Sequence, residues 1–271
     1  MDDRIRDRRR FVRRERGRRR VVPILLLALI VIAAGTFLGL RSSSVFAVRT
    51  VSATATQHVN QQDIATATAP SLGVNLLKLS TGSIEKALAA LPYVREAKVY
   101  RDFPNTLEVQ LVEYEPVARL QAGEGNVWLV SDDGRALEKI TPPRGYTLPL
   151  VIPAENLSLA AGDKLPEEIV SALPIVRLLA KDTVVGNEDD GSVTKNSLAD
   201  RLPDIKQVAV SAAGDLTLVL ADGSELRLGA PTELERKLTV AADIIQQCLR
   251  DGKKVQYIDV SVPERAAVKA K

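Results

Sequence analysis

The chain has 271 residues, with 37 Lys and Arg against 34 Asp and Glu, one histidine and one cysteine. A single cysteine excludes an internal disulfide, so the fold must rest on buried apolar surface. Aromatic residues make up 4% of the chain, too few for a sugar-stacking platform, and the lone His58 has no Cys, Asp or Glu at metal-ligand spacing.

The charge is unevenly spread. Residues 1–20 hold eleven arginines against Asp2, Asp3, Asp7 and Glu15, a local net of +7, which with a chain total of +3 leaves −4 on residues 41–271. An arginine run reads either as a nucleic-acid arm or as a topology signal that also holds to anionic lipid. An acidic remainder argues against nucleic acid. The uncharged stretch directly after the arginines supports the membrane reading.

Val21–Leu40 carries no charge and is closed by Arg20 and Arg41. A helix of that length spans roughly 30 Å, the thickness of a bilayer's hydrocarbon core. Pro23 falls in the first turn, where its missing N–H does little harm, and membrane helices accept Gly35 and Gly39. The pattern predicts one transmembrane helix over 21–40. Lys and Arg stay on the cytoplasmic side, so the basic tail 1–20 is inside and the remainder extracytoplasmic. A cleaved signal peptide ending near Val45-Phe46-Ala47 is the alternative, and Arg9-Arg10-Phe11-Val12 hints at a twin-arginine signal. The apolar run exceeds the usual length of roughly 7–15 residues, which favours a retained anchor.

Beyond a Ser42-Ser43-Ser44 linker, Val45–Ala55 reads as a strand through Val48, Val51 and Ala53. Asn60 caps a helix running through Ile64 to Ala69, and Pro70 stops it. Gly73-Val74-Asn75-Leu76-Leu77 is a turn and a short apolar segment. A second helix starts at Ser83 with Ile84, Leu88 and Leu91 on one face, and Pro92 ends it. Val94, Ala97 and Val99 begin a strand, Phe103-Pro104-Asn105 turns, and Leu107, Val109 and Leu111 alternate with polar residues as a half-buried strand. The order is strand, helix, helix, strand, strand.

Val127-Trp128-Leu129-Val130 and Arg135-Ala136-Leu137-Glu138 flank Ser131-Asp132-Asp133-Gly134 as a hairpin with an Asp-Gly turn. Turn chemistry explains the paired aspartates better than catalysis, since no partners converge on them. Pro142–Tyr146 is loop, and Leu148, Leu150, Val151 and Ile152 make a short strand. Pro166 at the first position, with Glu167 and Glu168 behind it, opens a helix whose apolar face is Ile169, Leu173, Val176 and Leu179, kinked at Pro174. Asp182–Asn196 is a polar, acidic insertion without the ordered ligand spacing of a calcium loop. Val208 and Val210 start a strand, Gly214-Asp215 turns it into Leu216–Leu220, and Asp222-Gly223 turns again into Glu225–Leu228. A capping box over Thr232–Glu235 opens a helix with Leu234, Leu238, Ala241, Ile245 and Leu249 on one face. Cys248 lies within that apolar pattern and reads as a buried small hydrophobe. Asp251-Gly252 ends the helix. Lys254–Val262 is the final strand, stopped by Pro263.

Several stretches carry a resemblance. Leu91-Pro92-Tyr93-Val94-Arg95-Glu96-Ala97-Lys98-Val99, Arg101-Asp102-Phe103-Pro104-Asn105-Thr106-Leu107 and Glu113-Tyr114-Glu115-Pro116-Val117-Ala118 resemble the POTRA domain of the FtsQ/DivIB bacterial division family, and Gly73-Val74-Asn75-Leu76 resembles its glycine–x–asparagine turn. Trp128–Gly134, Leu218–Ser224 with Leu228-Gly229, and Tyr257-Ile258-Asp259-Val260 before Ala266-Ala267-Val268 resemble its second exterior domain. Ala55 stands where the family's first strand ends in glycine, and Tyr114 where arginine usually follows the glutamate.

The resemblance implies an α+β protein: a cytoplasmic tail 1–20, a transmembrane helix 21–40, a POTRA domain 45–116 of βααββ order, and a mainly antiparallel β domain with helices over 117–268. It implies a divisome scaffold of the plasma membrane, single-pass type II, enriched at the septum. Its partners would be FtsB (DivIC) and FtsL and, through them, the septal cell-wall synthases FtsW and FtsI, with self-association left open. The residues give the physical means. Lys254–Val262, closed by Pro263, reads as a sheet edge with unpaired backbone groups able to take a partner's strand. The expected partner-binding residues are Tyr257, Ile258, Asp259, Val260, Ser261, Val262, Ala266, Ala267 and Val268. An interior strand is the competing reading of that segment. No catalytic set, phosphate-cradling glycine loop or nucleophile elbow is present, so no enzyme activity, cofactor or metal is expected. The alternative function is a POTRA-containing polypeptide-transport or envelope-assembly factor, though such chains usually carry several modules and a barrel. Activity on peptidoglycan is a weaker third reading.

Overall fold

The computed structural model describes residues 23–41, 43–141, 148–179 and 201–270. The basic tail, the loop Pro142–Tyr146 and the insertion Asp182–Asn196 lie outside the described residues. The rest is an α+β protein with one apolar helix, α1 (Pro23–Arg41), whose span is not buried against the protein. Two compact units make up the remainder. One is built from residues up to Leu88 and from Glu96–Leu111, the other from Ala89–Arg95 and from Val112 onward.

In the first unit the order is β1 (Thr50–Ala53), α2 (Gln61–Thr68), α3 (Thr81–Ala89), β2 (Val94–Asp102) and β3 (Thr106–Glu113). This is the expected βααββ succession. β3 is central, pairing in parallel with β1 and flanked on its other side by β2. Leu107, Val109 and Leu111 alternate inward from β3 and are buried, as are Ile64 of α2 and Ile84 and Leu88 of α3. Asn60 caps α2 as expected, its side chain accepting from the Gln62 N–H at 3.1 Å. Two boundaries differ. β1 is only four residues long, because the chain before it is occupied by a 3-10 turn at Ser44–Phe46. α3 starts at Thr81, two residues before Ser83, and the Ser83 hydroxyl donates back to the Ser80 carbonyl.

The second unit is a nine-stranded sheet in the order β12-β11-β10-β9-β8-β7-β4-β5-β6. Its strands are β4 (Pro116–Gly123), β5 (Asn126–Ser131), β6 (Ala136–Ile140), β7 (Leu150–Pro153), β8 (Ile205–Val210), β9 (Leu216–Leu220), β10 (Glu225–Gly229), β11 (Val255–Asp259) and β12 (Ala267–Ala270). Pairing is mixed: β4 with β7, β7 with β8 and β10 with β11 run parallel, the hairpins antiparallel. The expected hairpins at Asp132-Asp133-Gly134, Gly214-Asp215 and Asp222-Gly223 are all present. β4 is not among the expected strands, although Ala118, Leu120 and Ala122 alternate with Arg119 and Gln121 and are buried.

Helices α4 (Glu167–Val170), α5 (Leu173–Leu179) and α6 (Leu234–Arg250) supply Ile169, Leu173, Ile175, Val176, Leu234, Leu238, Ala241, Ala242 and Ile245 to one core with Leu216, Leu218, Leu226 and Ile258 of the sheet. Several helical expectations are corrected. Pro174 does not kink one helix; the chain breaks into α4 and α5, and Pro166 is the residue before α4 instead of its first. The capping box at Thr232–Glu235 does not form. Glu233 takes a left-handed conformation with φ 52° and precedes Leu234, which puts Thr232 out of register, and Lys237 Nζ donates instead to the Ala230 carbonyl at 2.8 Å. Leu249 is 65% exposed. The buried side chains of α6 end at Ile245, so its last turn lies beyond the part of the helix packed on the core. Cys248, in that turn, is half-buried and free.

Gly134 sits at φ +80°, and a Cβ there would collide with Val170 Cγ2. Gly134→Ala is expected to lower the stability of the full chain by about 2–4 kcal/mol, from left-handed strain plus overpacking. Adding Val170→Ala should recover the overpacking part alone. Urea unfolding followed by the fluorescence of Trp128, the only tryptophan, measures both.

Candidate functional site

Whether the carboxyl-terminal segment presents free backbone depends on what flanks it. β11 has neighbours on both sides. It pairs in parallel with β10, with Glu225 opposite Tyr257, Leu226 opposite Ile258 and Arg227 opposite Asp259. It pairs antiparallel with β12, with Tyr257 opposite Lys269, Ile258 opposite Val268 and Asp259 opposite Ala267. The reading of Lys254–Val262 as the final, edge strand is therefore corrected. Pro263 stops that segment, but Pro263–Arg265 forms a 3-10 turn that sends the chain back as one more strand. The sheet ends at β12, and among the described residues no strand pairs with its outer side.

The residues expected to bind a partner are split by this arrangement. Ile258 and Val260 point into the core at 2% and 0% exposure, and the Val260 N–H donates to the Arg227 carbonyl at 2.9 Å. Tyr257 and Asp259 lie on the opposite face. Asp259 accepts from the Ser261 N–H at 2.9 Å and from its hydroxyl at 2.6 Å. Those bonds, against a smaller opposing effect of burial and with help from Arg227, hold the Asp259 carboxyl below its ordinary pKa. Gly229 closes against this turn at φ +63°, where a Cβ would come within 2.9 Å of Ser261 Cβ. Val262, Ala267 and Val268 are exposed and Ala266 half-buried.

One face of the sheet end is thus a polar row, in which the Arg227 guanidinium lies 4.2 Å over the Tyr257 ring and Lys269 Nζ 5.9 Å from it. Glu225 accepts from Arg227 at 2.8 Å and raises its pKa further. The other face runs Leu226, Ile258, Val268 in register, and only the last is open, at 46% exposure. Sequence reasoning missed Lys269 and Ala270 altogether. Their signal is weak: four residues after a proline turn, with Val268 the only β-branched side chain.

Two other edges, β6 and β2, are less available. β6, at the far end of the large sheet, is met by the segment Gly162–Leu165: the Ala136 N–H donates to the Asp163 carbonyl at 2.8 Å and the Gly162 N–H to the Ala136 carbonyl at 2.7 Å. β2, an edge of the small sheet, carries Arg95, Glu96, Lys98, Arg101 and Asp102, charges of the kind that discourage strand addition.

The Ser131–Gly134 turn is held by its neighbours. Asp132 is ion-paired with Arg177 and, at 3.6 Å, with Arg95. Asp133 accepts from the Ser131 hydroxyl at 2.5 Å and from the Tyr114 hydroxyl at 2.9 Å. Tyr114, one of the two residues that depart from the family pattern, also has the Arg95 and Arg135 guanidinium groups 5.6 and 5.8 Å from its ring. Burial, then the bond to Asp133, raises the Tyr114 pKa. Burial alone would raise Asp133 too, but the hydroxyls of Ser131 and Tyr114 and the Arg95 charge outweigh it and lower its carboxyl. A carboxylate held ionised is the reverse of a general acid. His58 is exposed, and among the described residues no group of three or more potential metal ligands is gathered.

One apolar helix, a βααββ module and a large open sheet ending in an uncovered strand make this a single-pass membrane protein of the POTRA-bearing class. The profile of the FtsQ-type POTRA domain matches residues 46–114, and that of the C-terminal domain of cell division protein FtsQ/DivIB matches 118–261. The chain belongs to the FtsQ/DivIB family of cell division proteins. It is 28% identical over 185 residues to the cell division protein FtsQ of Myxococcus fulvus, covering 68% of this chain and 59% of that protein. It is 27% identical over 237 residues to that of Anaeromyxobacter sp., covering 86% and 74%, and 26% identical over 253 residues to that of Mycobacteroides abscessus, covering 93% and 70%.

The Tyr114–Asp133 bond makes a stability prediction with two pH limbs. Asp133, depressed in the fold, contributes stability present above its ordinary pKa and lost as pH falls through the lower folded value. Tyr114, raised in the fold, contributes stability present below about pH 10 and lost as pH rises through the higher folded value. Tyr114→Phe is expected to cost about 0.5–1.5 kcal/mol at neutral pH and to weaken the dependence on both limbs, measured by urea unfolding from acid to alkaline pH.

Proposed function

We propose that this chain is a non-catalytic scaffold of the division machinery that captures a partner by strand addition at the outer side of β12. The basic tail 1–20 lies in the cytoplasm, the span 21–40, most of it in α1, crosses the plasma membrane, and the POTRA domain 45–116 and β domain 117–268 are extracytoplasmic. The partner is the FtsB (DivIC)–FtsL pair, and through it the chain is coupled to FtsW and FtsI at the septum.

One observation carries this reading: β12 is the last strand of a nine-stranded sheet, with all four residues exposed. Every second residue of such a strand turns its N–H and C=O away from β11, and those groups offer main-chain bonds to an incoming segment. Val268 and Val262, both half exposed or nearly so, give an apolar contact beside the ladder. Tyr257, Asp259 and Ser261 belong to the polar face, and Ile258 and Val260 act only by holding the strand in place. The restraint of Tyr257 by Arg227 pre-forms that face, so less side-chain freedom is lost on binding.

The test is a pair of single substitutions, Val268→Pro and Lys269→Pro. Neighbouring residues of a strand bond to opposite sides, so one proline strikes the β11–β12 ladder and the other the outer side. Both are expected to abolish co-purification of the FtsB–FtsL pair from membranes, while only one weakens the fold. Full capture by both variants overturns strand addition here. A fluorescent fusion of the outer-side variant should still insert in the membrane but lose midcell enrichment.

A further inference from the structure

The Gly73-Val74-Asn75-Leu76 turn is fastened to the end of α1. Asn75 donates through Nδ2 to the carbonyls of Leu40, at 3.0 Å, and Ser43, at 2.9 Å, while its Oδ1 accepts from the Leu77 N–H at 2.9 Å. Carbonyls in the last turn of a helix lack partners within it, so one asparagine satisfies the helix end and fixes the turn beside it. Backbone bonds bring in the neighbouring loops. The Gly73 N–H donates to Val48, the Val48 N–H to Val74 and the Leu76 N–H to Phe46, at 2.8–3.0 Å, and the Arg49 N–H to Asn105 at 2.9 Å. The Phe46 and Phe103 rings meet edge to face at 5.8 Å. Residues 43–49, 72–76 and 103–105 thus gather at the foot of the apolar helix.

That foot is apolar where water would favour polar residues. Val45, Leu72, Val74 and Phe103 are 56%, 53%, 36% and 51% exposed. The three loops contain Arg49 and no acidic residue, and they are flanked by Arg41, Lys78 and Arg101, with Asp102 the one acidic neighbour in sequence. Arg41 closes the helix with its guanidinium 5.5 Å from the Phe37 ring. Apolar side chains ringed by basic ones are the composition of segments that lie in the headgroup–acyl boundary.

We propose that this foot seats in the lipid interface, with Val45, Leu72, Val74 and Phe103 in the acyl boundary and Arg41, Arg49 and Lys78 among anionic headgroups. The occupant is lipid because the patch is continuous with the helix that crosses the bilayer: Val45 stands four residues past Arg41, and Asn75 ties Leu72 and Val74 to the same point. The first unit then rests on the membrane through a fixed contact instead of swinging on a linker.

The experiment uses the full chain with Cys248→Ser and Leu72→Cys, labelled with an environment-sensitive fluorophore. It is reconstituted at one copy per nanodisc containing phosphatidylglycerol. The expected result is blue-shifted emission, quenching by nitroxide-bearing lipids at a depth of about 5–10 Å inside the boundary, and little quenching by aqueous iodide. Val45→Cys gives a second reading should a label at Leu72 disturb the turn. A probe quenched by iodide and untouched by lipid nitroxides at both positions overturns the proposal. So does a probe shielded only once a protein partner is added.

Discussion

An open β-sheet has to end, and the strand at which it ends keeps part of its backbone hydrogen-bonding capacity unused within the fold. Much else in the second unit depends on how its two ends are treated. At one end, β6 is met by Gly162–Leu165, which takes up backbone groups at Ala136. At the other, β12 has β11 on its inner side and, among the described residues, nothing on the outer. This asymmetry is the ground on which β12, and not β6, is proposed as the binding edge.

The construction behind β12 is rigid where the edge itself is open. α6 covers the sheet with Leu238, Ala241 and Ala242 fully buried. β11 is anchored through Ile258 and Val260 in the core and, on its other face, through the stacking of Arg227 on Tyr257. The turn that launches β12 is closed by Asp259 and Ser261 and permitted by Gly229. An edge held in this way is presented in one conformation, which lowers the ordering cost of adding a strand. On the proposed reading the apolar helix and its foot complete the design: one part of the molecule would be fixed to the membrane while another offers backbone to a partner.

Much of this was legible in the sequence because it is written in period and punctuation. The uncharged run ahead of Arg41 marks α1, Asn60 marks α2, and the alternation of Leu107, Val109 and Leu111 marks a half-buried strand. The Asp-Gly pairs at 133–134 and 222–223 locate two hairpins. What was not legible depended on tertiary context. The left-handed Glu233 shifts the start of α6 by one residue and undoes a capping box that looks complete on paper. Leu249 keeps the helical period past Ile245, where the buried side chains of α6 end. β4 and β12 each hold a single β-branched side chain, Val117 and Val268, and no aromatic, so their strand preference is weak and only the neighbouring strands decide their burial or exposure. The candidate site moved by one strand for this reason: Pro263 is a true stop, but four residues beyond it suffice for one more strand of the sheet.

The central claim is that the outer side of β12 is vacant in the isolated protein and filled in the complex. Amide hydrogen exchange, residue by residue, of the full chain in nanodiscs with and without the FtsB–FtsL pair tests it directly. The account predicts that amides of β11 are protected throughout, while those of Ala267–Ala270 that face away from β11 exchange freely alone and become protected in the complex. Unchanged exchange at all four residues on complex formation would contradict it.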